Sequence, residues 1–206
     1  MNINYLKMAL VPIAYFAVSW FFPWDIFNIN TTISIEYIFD IVFVVSIYFL
    51  LKKKVSKELP DPQIFVIKVV VVAIIAFACI KTSQWIGLIS PFKYVDQIFI
   101  QLLILAPIIE ELVFRGAFYL VSERYHNNKK FILFANSILF SLSHAPAFFV
   151  LPVEFHSFIW FQLFYTLILG WICTNSRMRT GSLIEPISLH FVFNLIFYFA
   201  ITNQLI

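Results

Sequence analysis

Apolar runs approaching twenty residues recur along this chain from Tyr5 to Ile201, and they leave few folds open. A helix rises ~1.5 Å per residue, so about 20 apolar residues cross a ~30 Å hydrocarbon core. Inside that core every backbone N–H and C=O must be bonded within the protein, which leaves helices or a closed barrel. Barrel strands alternate apolar and polar residues, and these runs do not. Only 12% of the 206 residues are Asp, Glu, Lys or Arg, against about a quarter in a soluble domain. The expected fold is all-α: a polytopic transmembrane helix bundle.

Seven spans are expected: Tyr5–Trp24, Ile33–Leu51, Ile64–Ile80, Gln97–Val121, Phe131–Phe149, Ser157–Thr174 and Leu183–Ile201. Lys7 and the apolar stretch after it resemble a signal peptide, but no small-x-small cleavage site follows, so the stretch reads as an uncleaved first span. Lys52, Lys53, Lys54 and Lys57 follow the second span, Arg124, Lys129 and Lys130 the fourth, and Arg177 and Arg179 the sixth. Alternation puts all of these on one side with Lys7. The opposite loops carry only Lys81 and Lys93, with Asp25, Asp96 and Glu154. The positive-inside rule then places the N-terminus in the cytoplasm and the C-terminus outside. Topology also accounts for the net charge of +3 without a nucleic-acid partner.

The longest polar stretch, Lys52–Gln63, is one loop, and no internal repeat is visible, so residues 1–206 read as a single integral membrane domain. Cys79 and Cys173 have no CxxC spacing and read as small buried hydrophobes. Asp40 and Lys68 read as snorkelling or locally paired groups.

Other polar groups have no such explanation. Glu110, Glu111 and Arg115 lie in the fourth span, His144 in the fifth, and His190 and Asn194 in the seventh. A charge left unpaired in an apolar medium costs several kcal/mol, and intramembrane ionisable groups mark function by default. Glu111 and Arg115, at i and i+4, share a helix face and can pair. Glu110 is turned ~100° away from Glu111 and is left available. His190 and Asn194 repeat the i, i+4 spacing, as do Phe140 and His144; Phe140 itself reads as packing. Pro107, Pro146 and Pro186 lie near the key residues, where proline kinks a helix or starts one.

Desolvation favours the neutral form of a carboxyl, which suits a general base working near neutral pH. A nearby His can share its proton. A His190 N–H and the Asn194 amide can donate two hydrogen bonds to one oxygen, an oxyanion-hole arrangement. Ser143 adjoins His144 but is turned ~100° from it on a helix, which disfavours a Ser nucleophile. The sum is a water activated to attack an amide within the membrane. Two other readings stay open. One is a divalent metal held by Glu110, His144 and His190, although HExxH is lacking. The other is a non-enzymatic binding or transport protein.

"EELVFR", "FSLSH" and "HFVFN" resemble the EExxxR, FxxxH and HxxxN motifs of the CAAX protease and bacteriocin-processing family of intramembrane proteases. The three occur in the family's order, each on its own apolar span within residues 106–194, and "GSLIEPISLHFVFN" resembles the context of the last. The resemblance implies that Glu110 activates water with His144 as proton partner. It implies that His190 and Asn194 stabilise the oxyanion, and that Glu111 and Arg115 form a supporting pair. No cofactor is implied. Glu185 departs from the family pattern, standing where an apolar or aromatic residue is more common, and either tunes the site or caps a helix. The implied partner is a peptide or membrane-anchored substrate. The expected setting is a bacterial plasma membrane, with peptide maturation or bacteriocin self-immunity as the role.

Overall fold

A computed structural model describes residues 3–22, 24, 35–52, 59–92, 99–203 and 205. The span ends expected at Ile33 and Gln97, and Lys53, Lys54, Lys57, Lys93, Asp25 and Asp96, lie outside the described residues. The described residues form helices and no strands. We number the principal helices α1 (Ile3–Phe21), α2 (Ile35–Leu51), α3 (Pro62–Trp85), α4 (100–125), α5 (Lys129–Leu142), α6 (His156–Thr180) and α7 (Ile184–Thr202). Four helical stretches are long and apolar enough to cross a membrane by length and composition: Pro62–Trp85, Lys129–Val150, Val153–Thr180 and Ile184–Thr202. The chain is an all-α membrane helix bundle.

Helix ends follow local chemistry. Asp61 caps α3 by accepting from the N–H of Gln63 and Ile64 at 3.0 and 3.1 Å, and Pro62 fills a first-turn position that needs no N–H donor. Asn128 caps α5 in the same way, through Lys130 and Phe131. Gly181, at φ +66°, ends α6 in the left-handed conformation that glycine adopts without strain. Tight connections at 126–128 and 181–183 make α4 and α5, and α6 and α7, antiparallel. In the interior, α5 packs along α6, and α7 packs against α3, α6 and the first part of α4. Phe118 packs edge-on against Tyr15 and Phe43, tying α4 to α1 and α2.

Several boundaries differ from expectation. The fifth span reaches Val150, but it is not one regular helix: α5 ends at Leu142. Pro146 has no N–H to offer Leu142 O, and the Ala145 N–H takes that carbonyl at 2.9 Å, an i to i+3 bond that tightens the chain into a turn. A one-turn helix, Ala147–Val150, follows. The sixth span runs on to Thr180, so Arg177 is not a loop charge: it is helical and buried. Pro186 lies in the first turn of α7, where the N–H groups have no helical partner. Glu185 does not cap that helix; its carboxylate pairs with Lys68 at 2.5 Å, while Ser182 Oγ accepts from the Ile184 N–H. Asp40 is paired too, accepting from Tyr15 OH at 2.8 Å. Cys79 and Cys173 are free and buried.

Candidate active site

Helix α4 carries the two acids, and its hydrogen bonding is irregular on both sides of them. Ala106–Glu111 is α-helical, while Ile100–Leu105 before it and Leu112–Phe118 after it are wound as π-helix, with i to i+5 bonds. In the first π segment Ala106 N–H bonds to Gln101 O. The next donor in that register would be Pro107, which has no N–H. Leu102 O is thereby released, and Asn194 Nδ2 donates to it at 2.9 Å. At the end of the second segment, Tyr119 N–H bonds to Phe114 O and Gly116 O and passes over Arg115 O. Arg177 Nε donates to that carbonyl at 3.0 Å. Backbone groups released by winding defects are thus taken up by side chains of α6 and α7.

The two adjacent acids have different surroundings. The Glu111 side chain is fully buried, and its Oε1 lies 3.1 Å from Arg115 Nη1 and 2.9 Å from His190 Nδ1. The Glu110 side chain is 29% exposed and faces a cavity, with Oε2 at 3.9 Å from His190 Nε2. Arg115 also donates from Nη2 to Gly170 O at 3.2 Å, and its guanidinium lies over the Phe140 ring at 4.2 Å. A side chain at position 170 would meet Ser137 backbone at 3.1 Å and Phe140 Cδ1 at 3.2 Å, so glycine there lets α5 and α6 come close enough for this contact. Phe140 presents its ring edge-on to both His144 and His190, at 5.4 and 5.6 Å between centroids. One aromatic ring therefore touches the arginine and both imidazoles.

His144 does not lie mid-helix as expected. It occupies the turn after α5, with Nδ1 at 3.2 Å from both Phe140 O and Ser143 Oγ. The ~100° helical offset that turned Ser143 away does not apply in a turn. Ser143 nonetheless donates to Phe140 O at 2.7 Å and does not line the cavity, so it is held by the backbone and not poised for attack. The cavity, about 360 Å³, brings together Glu110 of α4, Phe140 and His144 of α5 and the turn after it, and His190 and Asn194 of α7. Glu111 and Arg115 lie behind it.

Residues 96–196 match the family model for "Type II CAAX prenyl endopeptidase Rce1-like" proteins. The chain belongs to the CAAX protease family. No curated protein and no solved structure matches it. The family match includes all three motifs and ends two residues past Asn194, so the CAAX protease region comprises α4 to α6 and most of α7. Membership makes the chain a membrane protease of the CAAX type. Other residues line the CAAX protease cavity without any sequence signal that singled them out: Tyr37, Gln101, Gln162, Tyr165 and Thr166. Each is a neutral polar group in an apolar run, which composition and spacing do not distinguish from a surface or packing position. Arg177 was missed as a buried group because it follows the last uninterrupted apolar residues of its span.

Proposed function

We propose that this chain is a glutamate-dependent endopeptidase of a bacterial plasma membrane that hydrolyses a peptide bond in a peptide or membrane-anchored segment. The observation that carries the reading is the division between the acids: Glu111 is sealed between Arg115 and His190, while Glu110 opens to the cavity. Glu110 then takes a proton from water as it attacks the carbonyl, with His144 accepting or returning that proton. The Nδ1–H of His190 is directed to Glu111, so Nε2 donates to a substrate oxygen when the ring is the imidazolium, and Glu111 holds that cation in place. Asn194 spends one N–H on Leu102 O and keeps a second for the same oxygen. Peptide maturation or bacteriocin self-immunity is the role this reading favours.

Metal activation of the water is the second reading. Its candidate ligands Glu110, His144 and His190 line the same cavity. The testing experiment is hydrolysis of apolar peptides in liposomes. Asn194→Ala is expected to fold and to lose roughly a hundred-fold in rate, as removal of one oxyanion donor does. The loss is expected in kcat more than in KM, because the donor acts on charge that develops after binding. An unchanged kcat would remove Asn194 from the mechanism.

A further inference from the structure

The cavity is one-sided. It takes residues from the first half of α4 (Gln101 to Glu110), the end of α5 and the turn after it (Phe140 and His144), the first half of α6 (Gln162 to Leu169) and α7 from His190 onward to Ile201. Tyr37, near the start of α2, and Phe92, beyond the end of α3, complete it. In an antiparallel bundle these are all at the same end. Phe92 packs edge-on against Phe158 and Phe99 against Tyr198, which joins the α3–α4 connection to the start of α6 and the end of α7 there. At the other end this cavity is closed: the fully buried Glu111–Arg115 pair and Arg177, bonded to Arg115 O and Gly181 O, lie behind the acids, and the Lys68–Glu185 bridge borders a separate hollow of about 240 Å³.

Charge tells the two ends apart. Among the described residues, the closed end carries the cations Lys7, Lys52, Arg124, Lys129, Lys130 and Arg179 beside the acids Asp61 and Glu123, and the open end carries one cation, Lys81, beside Glu36 and Glu154. Lysine and arginine are retained on the cytoplasmic side of short-looped membrane proteins. Gln101 is exposed and Gln162 partly so, and neither amide has a hydrogen-bond partner among the described residues. Two free amides on facing helices at the entrance are suited to the backbone of an incoming peptide, whose N–H and C=O groups must be satisfied once it leaves its own helix. We infer that this cavity is entered from the extracytoplasmic face past Gln101 and Gln162, so that the substrate is an exported or outer-leaflet peptide segment and not a cytoplasmic chain end. The substrate assignment rests on the proposed protease function; the route of entry does not.

The test uses the full chain in membrane vesicles of both orientations, with a membrane-impermeant sulfonated maleimide as probe. Wild type supplies the background, since Cys79 and Cys173 are buried. Gln101→Cys and Gln162→Cys are expected to label in right-side-out vesicles and to stay unlabelled in inside-out ones. Lys129→Cys is expected to show the reverse. Labelling of the two cavity cysteines from the cytoplasmic side, or only after detergent is added, overturns the inference. In sealed liposomes of uniform orientation, an internally quenched peptide with charged ends is expected to be cleaved only when supplied on the outer face. Cleavage only from the inner face overturns the substrate assignment. The labelling needs no turnover, so a chain that labels as expected and never cleaves tells against the protease mechanism and leaves the entry route standing.

Discussion

Glu110→Gln is expected to abolish nearly all turnover while the bundle stays folded and extractable. The two side chains have the same shape, and an amide is easier to bury than a carboxylate. No folded-state bond is lost: Glu110 Oε2 accepts no hydrogen bond, and its 3.9 Å separation from His190 Nε2 is beyond hydrogen-bond reach. What disappears is the proton acceptor, and general bases contribute about 10²–10⁴-fold. Initial rates on a peptide substrate, read beside a thermal melt of the same preparation, check both halves of the expectation. Chelators give the complementary result. If a carboxylate activates the water, strong chelators leave the rate alone. If a metal does, chelation removes activity and a divalent ion restores it. Chelator-sensitive turnover with stoichiometric metal would sink the carboxylate mechanism, and normal cleavage by Glu110→Gln would sink the site.

The membrane-bundle class was legible because it depends only on run length and on the cost of unbonded backbone in lipid. That Glu111 pairs with Arg115 while Glu110 points elsewhere was legible as geometry, since neighbouring helical residues diverge by ~100°. Two kinds of feature were not. The π turns around Ala106–Glu111 differ from α-helix by one residue per bond, and nothing in an apolar run marks where that shift occurs. Their consequences, Asn194 on Leu102 O and Arg177 on Arg115 O, were hidden with them. The bond between His190 and Glu111 links residues 79 apart in sequence, and only the packing of α7 on α4 creates it. Pro146 did carry a readable signal, but the same residue type kinks one helix and ends another, and the i to i+3 bond at Leu142 O decides which.

The bond between Glu111 and His190 changes what the buried arginine is expected to do. Arg115→Leu takes away the cation from a fully buried carboxylate, the donor from Gly170 O and the plane stacked on Phe140. Leaving one charge of a buried pair uncompensated costs about 3–5 kcal/mol. That is a large share of the ~5–15 kcal/mol that holds a typical protein folded. Arg115→Leu is therefore expected to cut the yield of folded protein and lower its melting midpoint, with activity falling alongside. Arg115→Lys is expected to rescue little, because a single ammonium cannot serve Glu111 and Gly170 O as the two arms of a guanidinium do. Glu111→Leu combined with Arg115→Leu removes both charges, so its melting midpoint is expected to recover beyond that of either single variant. Its hydrolysis is not expected to follow. With Glu111 gone, His190 Nδ1 has lost the acceptor that fixes its ring and steadies the imidazolium, so the double variant is stable and idle. Single variants that fold and cleave normally would remove the supporting role of the pair. A double variant that regains rate together with stability would show that Glu111 holds the fold but does not orient His190.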